Sequence, residues 1–268
     1  MKKSGPAFFA PFFLFFIMSY NIASALTGND IETIQKTLAN RPPGERIAVW
    51  AEKFIGTPYD PDPLGEYVSK AVIVADERVD CMYLTFRAVE LALGTSPEES
   101  IRIALDKRFH GKGIVRNETV MNYEERFEYG EDMILSGKWG KDITASIGKT
   151  VKIKGSRGIP AFEILTPQNI LKGADKLRDG DIIFLVKAPH KRKRNEIVGH
   201  IGIIKTGAPA DKGDLMQKSP ASASQRNVHI IHAGGRKGIG GSVKKVLLQD
   251  YIKKMPFVGA KITRFDGS

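Results

Sequence analysis

DCMYLTFRAVELALG, residues 80–94, is the stretch on which the reading of the fold depends. Apolar residues recur at helical spacing from Met82 to Leu93, and Gly94 supplies a stop signal. Cys81, the single cysteine of the 268 residues, therefore stands where a loop, Val72 to Asp80, gives way to a helix. There the unpaired backbone N–H groups and the positive end of the helix dipole favour a thiolate, the position a cysteine nucleophile needs. The competing reading of a lone cysteine is a small, buried, apolar packing residue.

Working outward, two amphipathic helices precede this one. Ile31, Ile34 and Leu38 mark the first, within Asp30 to Ala39; Ile47, Val49, Trp50 and Phe54 mark the second, within Gly44 to Phe54. Gly56 and Pro58 end the second and lead into Tyr59. On the other side, Ser96-Pro97-Glu98-Glu99 is a capping pattern that opens a fourth helix running to about Lys107. The second half is dominated by strand-like runs at Asp181–Lys187, His200–Lys205, Val228–Ala233 and Ala260–Phe265. Helices first and strands later predict an α+β fold rather than alternating βαβ units.

The histidines raise the catalytic reading of Cys81. Of the five, at 110, 190, 200, 229 and 232, three lie within strand-like runs. Period-two alternation puts His200, Gly202 and Ile204 on one face of their strand, with Gly202 leaving room for another element to approach His200. Val228, Ile230 and His232 share a face of the later strand, and His229 points the other way. If the two strands are neighbours, His200 and His232 stand side by side, one as general base to the thiol and the other orienting it. His229, His110 and His190 read as structural or surface residues, His190 within the basic run KAPHKRKRN.

Composition sets the bounds. With 42% apolar and 26% charged residues the chain is an ordinary globular protein, which excludes disorder and multi-span membrane folds. A formal charge of +11 favours an anionic partner. One cysteine excludes an intrachain disulfide and any zinc site built from several thiolates. Lys2 and Lys3, the apolar run Ala7 to Met18 and the small residues Ala23-Ser24-Ala25 have the form of a secretory signal peptide cut after Ala25. The expectation is an exported protein, periplasmic or secreted, with residues 1–25 as signal and 26–268 as a single domain. No fixed-period repeat or Pro/Ser-rich linker divides that domain.

Five short motifs in order carry a family resemblance: Gly56-Thr57-Pro58-Tyr59, Asp80-Cys81, Asp179-Gly180-Asp181, Gly199-His200-Ile201-Gly202-Ile203 and Ile231-His232-Ala233. Together they resemble the NlpC-type, papain-like bacterial cell-wall hydrolases, over roughly Arg46 to Phe265. A long insertion between nucleophile and base, including Asn122 to Tyr129 and Pro160 to Ile164, is similar to one branch, the N-acetylmuramoyl-L-alanine amidases first catalogued as a domain of unknown function. The resemblance implies a papain-like nucleophile helix packed on an antiparallel sheet that carries the histidines. It implies Cys81 as nucleophile, His200 as general base, His232 as the third, polar member, and Tyr59 as a residue that positions the nucleophile or donates toward the oxyanion beside the Cys81 N–H. It implies no metal and no cofactor.

The reaction so implied is hydrolysis, through a thioester, of the amide between muramic acid and L-alanine in peptidoglycan. Two positions depart from the family pattern: residue 128 is Glu where a histidine is expected, and Thr206 to Asn227 is a long excursion where simpler members have a tight hairpin. An endopeptidase cutting the stem peptide between D-Glu and diaminopimelate would use the same residues. A non-catalytic cell-wall-binding module would explain charge and export but has no need of Cys81, His200 and His232. Nucleic acid is not an expected partner, because the basic run lacks interleaved aromatics and the leader directs the chain away from DNA.

Overall fold

The computed structural model describes residues 26–62, 64–207, 227–236 and 239–266. The stretch 1–25 and nearly all of the excursion from Thr206 to Asn227 lie outside the described residues.

Helices α1 (Gly28–Leu38), α2 (Pro43–Lys53), the short α3 (Glu66–Ser69), α4 (Cys81–Leu93) and α5 (Pro97–Lys107) open the fold. Their starts follow from local chemistry. Thr27 and Asp30 close a reciprocal capping box on α1, Asp80 accepts the Tyr83 N–H at the head of α4, and Ser96 accepts the Glu99 N–H ahead of Pro97.

A small hairpin, β1 (Val115–Arg116) and β2 (Thr119–Val120), follows, then α6 (Gly130–Ser136), β3 (Lys141–Asp142) and α7 (Thr144–Ile147). The rest is β4 (Thr150–Lys154), β5 (Ala161–Leu165), α8 (Pro167–Lys172), β6 (Ile182–Lys187), β7 (Val198–Thr206), β8 (Val228–Arg236), β9 (Gly240–Leu247), α9 (Leu248–Lys254) and β10 (Phe257–Arg264). Apart from the small hairpin, these strands form one sheet in the order β4-β5-β10-β6-β7-β8-β9, with β3 also on β10. Every pairing in it is antiparallel. The mixture of leading helices and an antiparallel sheet is the α+β class the sequence order predicts.

The sheet is covered on both faces, which explains why β6 reads as an unbroken apolar run. Ile182, Phe184 and Val186 join the core beneath α2 and α4 with Trp50, Phe86, Ile203 and Ile231. Ile183 and Leu185 face the other way, into a second core with Ile204, Ile230, Ile262 and residues of α8 and α9. A strand buried on both sides has no polar position to spend, so alternation disappears.

Candidate active site

The two histidine strands are neighbours. β7 pairs with β8 in the register Ile203↔Ile231 and Ile204↔Ile230, which carries His200 and His232 toward each other on one face. His200 Nε2 lies 3.1 Å from His232 Nδ1, and the rings meet edge-on with centroids 5.1 Å apart. A bulge helps: β6 residues Leu185 and Val186 pair with His200 and Val198, so Gly199 is the extra residue. The room that Gly202 leaves is taken by the neighbouring strand β8: Ile230 Cδ1 would lie 2.6 Å from any Cβ there.

Cys81 enters from the helical layer. As the first residue of α4 it sits against the strand backbone, and its sulfur receives the N–H of Ile201 as well as N–H groups of its own first turn. Tyr59 is held by stitching on both sides: its N–H donates to the Gly241 carbonyl of β9 (2.9 Å), and Asp60 donates to Val79 (2.9 Å), two residues before the thiol. A Cβ on Gly235 would stand 2.7 Å from Tyr59 Cδ1, so only glycine lets β8 accept this ring. Cys81, His200 and Tyr59 line one cavity of about 420 Å³. The segment Arg126 to Gly130, from the long insertion, forms another of its walls. The segment Pro160 to Ile164 instead leads into and forms most of strand β5, with Phe162 and Ile164 buried in the sheet.

The electrostatics differ from the expectation for a helix-start thiol. The N–H groups of Ile201, Cys81 and Met82 do favour the thiolate, but burial and the adjacent Asp80 carboxylate outweigh them and push the thiol up to about 12. Burial, joined by His232, pushes His200 down to about 3. Burial and Lys244, opposed by a hydrogen bond to the Ala233 backbone, hold His232 at about 4. At rest the thiol and both imidazoles are therefore neutral. Asp80 is itself raised to about 6 by burial, with Asp60 adding to the rise and the N–H groups of Tyr83 and Met82 opposing it. Burial likewise lifts Tyr59 to about 12, with Cys81 and Asp80 contributing.

These shifts make stability depend on pH. Between about pH 3 and the ordinary histidine value of 6.5, His200 stays neutral in the folded protein while the unfolded chain takes up a proton there. The penalty grows as pH falls through that window and vanishes above it; Asp80, raised rather than lowered, acts in the opposite sense between 3.8 and about 6. Replacing His200 by Asn removes only the first contribution. Urea unfolding at pH 7 and pH 4.5 should show a larger loss of stability in the wild type than in His200→Asn, and parallel losses would refute the depressed imidazole.

Several residues of the site escape sequence reading. Tyr251 of α9 packs its ring 4.6 Å from His232 and 6.2 Å from His200, while Phe257 stacks on His200 at 6.4 Å. Glu131 of α6 is fully buried and accepts the N–H groups of Ile197 and Val198, each at 3.0 Å, with Arg157 3.1 Å away. It pins the start of β7, two residues before His200, and nothing in its local sequence signals a partner so distant in the chain. The three histidines set aside lie elsewhere: His110 packs on Phe127, His190 is exposed, and His229 bonds the Asn227 carbonyl. Glu128 lines the cavity and pairs with Arg126 at 3.2 Å. Among the described residues no group of three or more His, Cys, Asp or Glu is placed to hold a metal ion.

The fold is shared with proteins of known structure. An N-acetylmuramoyl-L-alanine amidase from Bacteroides uniformis superposes with a TM-score of 0.59 at 17% identity, over 84% of this chain and 99% of its own. A Legionella pneumophila protein of the DUF1460 family gives 0.62 at 14% identity, over 88% and 93%. At such identities the likeness is one of fold. No protein-family model and no curated protein sequence matches the chain.

Proposed function

We propose that this protein is an exported, papain-like cysteine hydrolase of the bacterial cell wall that cleaves the amide between N-acetylmuramic acid and L-alanine, its catalytic residues held in a single domain from about Leu26. The observation that carries the reading is the meeting of Cys81, at the start of α4, with His200 in one cavity, where His200 is hydrogen-bonded to His232. The shared fold with a B. uniformis amidase supports the choice of reaction, as does the wall contributed by the insertion. Export rests on the N-terminal pattern, and the charge of +9 left from +11 once Lys2 and Lys3 depart with residues 1–25 suits a polymer rich in carboxylates.

In this mechanism Nε2–H of His200 donates to Nδ1 of His232, which leaves Nδ1 of His200 free as the base. Substrate binding brings the lactyl carbonyl of muramic acid against Sγ. The thiol proton passes to His200 as the C–S bond forms, and the carbonyl oxygen becomes an oxyanion facing the Cys81 N–H and the Tyr59 hydroxyl. His200 then returns its proton to the L-alanine nitrogen as the C–N bond breaks. Water, deprotonated by the same imidazole, hydrolyses the thioester and regenerates the thiol. His232 positions the ring by accepting its Nε2–H, and because burial disfavours a charged His200, the proton it takes from the thiol is passed on to the leaving nitrogen rather than kept.

Incubation with intact disaccharide peptide and with the free stem peptide tests the reaction. Release of a peptide beginning with L-Ala from the first, with no cleavage of the second, is expected. Cleavage of the free stem peptide would replace the amidase reading by the endopeptidase one.

A further inference from the structure

The basic run KAPHKRKRN, residues 187–195, is the feature of the sequence that catalysis leaves unused. It forms the turn between β6 and β7, the strand that carries His200. Its charges are not equivalent. The Lys187 ammonium is taken by Glu196, and Arg192 donates through Nη1 to the Gly155 carbonyl at 3.0 Å, tying the arm to the β4–β5 turn. Glu196 also accepts the backbone N–H of Arg194 at 2.6 Å and of Lys193 at 3.4 Å. Its carboxylate is thus spent on Lys187 and the main chain; although burial opposes it, these donors hold the carboxyl down at about 2. Asn195, at a φ of +61°, closes the turn.

What remains is a braced arm with three cations, Lys191, Lys193 and Arg194, that have no carboxylate partner among the described residues, and only the last two line the cavity. Lys193 and Arg194 line the same cavity as Cys81, and among the described residues neither side chain has a carboxylate within 4.0 Å. The other cations of that cavity are already engaged, Lys187 with Glu196 and Arg126 with Glu128. A chain advances about 3.5 Å per residue, so the first residues beyond the reacting carbon fall within the cavity that these two side chains line. A fixed backbone with adjacent Lys and Arg side chains is suited to a carboxylate, the guanidinium pairing in a plane and the ammonium adding charge.

We propose that Lys193 and Arg194 form a carboxylate-binding wall, so that the enzyme selects substrates bearing a free carboxylate one residue beyond the amine it releases. This rests on the amidase reading for its choice of substrate: the group bound there is the α-carboxylate of the second stem residue, D-glutamate. The wall contributes no atom to bond making; it holds the leaving segment so that the scissile carbonyl stays on Sγ.

A matched pair of probes separates this from bulk attraction: N-acetylmuramoyl-L-alanyl-D-glutamate and its carboxamide counterpart, N-acetylmuramoyl-L-alanyl-D-isoglutamine. The wild-type enzyme should cleave the acid with a kcat/KM about tenfold above that of the amide, a ratio set by charge-assisted hydrogen bonds. Lys193→Ala/Arg194→Ala should bring the ratio close to one, mainly through KM for the acid. A ratio near one in the wild type, or an unchanged ratio in the variant, overturns the proposal. Calorimetric titration of both probes into Cys81→Ala gives the same comparison without turnover. If wild type cleaves neither probe but Cys81→Ala binds the acid more tightly, and the added double substitution abolishes that preference, the wall stands while the amidase reading falls. Equal binding, or no binding of either probe, refutes the wall.

Discussion

Cys81→Ala is expected to lower amide hydrolysis by on the order of 10⁴-fold or more while leaving the urea unfolding midpoint nearly unchanged, because a nucleophile and its base act as a unit. Both halves follow from its place in the structure. Cys81 is the first residue of α4 and as a residue is only partly buried, its sulfur turned to a cavity wall, so the substitution empties no filled core site. The cap that starts the helix is the Asp80 carboxylate on the Tyr83 N–H at 2.6 Å, which the substitution does not touch. Without sulfur, His200 has only water to activate, and the nucleophile that accepts the Ile201 and Met82 N–H groups is gone. Steady-state rates on disaccharide peptide together with unfolding curves for both proteins decide the matter. A variant that keeps more than about a tenth of the wild-type rate would show that the imidazole pair works through water and that the thiol is a packing residue.

Much of this site was legible because its parts are local and periodic. Met82 to Leu93 repeats at helical spacing and ends at glycine, and the two Ile-rich histidine runs alternate so that a single assumption, that they are neighbours, brings His200 and His232 together; β7 and β8 do pair. Other parts were hidden for physical reasons. Strand β9, GGSVKKVL, is half exposed and glycine-rich, and α9 spans seven residues, too few for a helical period to emerge; yet these hold Tyr59 and supply Tyr251. Glu131 acts on backbone groups of Ile197 and Val198, a relation no local pattern encodes. The sign of the thiol's shift was also out of reach. Helix position argues for a thiolate, whereas desolvation depends on what covers Cys81, and that is decided by strands more than a hundred residues downstream. The basic run shows the same division: sequence counts its charges, and only the fold shows that Lys187 and Arg192 brace the arm while Lys193 and Arg194 face the cavity.

The largest effect on stability is expected in the core around α4. Asp76, Arg87, Glu90 and Arg108 form a buried chain of two acids and two bases. Arg87 reaches Asp76 through two bonds of 2.8 and 2.9 Å, Arg108 grips Glu90 with two of 2.6 and 2.7 Å, and Arg87 Nη1 lies 3.5 Å from Glu90. Tyr83 donates its hydroxyl hydrogen to Asp76 at 2.8 Å, and its oxygen accepts the Ala75 N–H. The rings of Tyr83 and Phe86 lie 4.9 and 5.4 Å from the Arg108 guanidinium. Charges so deep are tolerated because each has an opposite partner; burial alone would raise Asp76, and Arg87 holds it below the ordinary carboxylate range. Arg108→Met keeps much of the volume but leaves Glu90 with only the longer contact to Arg87. The expected cost is about 3–5 kcal/mol, a large share of the roughly 5–15 kcal/mol that holds a typical domain folded. Replacing Glu90 by Leu in the same chain should recover most of that loss, since an apolar pair needs no solvation and Arg87 keeps Asp76. Urea unfolding of the wild type, the single and the double variant reads both steps. A single-variant loss below about 1 kcal/mol would mean that water reaches Glu90 and that the network is not dry. Because Asp76 lies in the loop leading to Cys81, the same measurement asks whether the thiol is set in place by charges buried behind it. A double variant that regains stability but not activity would show that the network also fixes the approach of residues 76–80 to the head of α4.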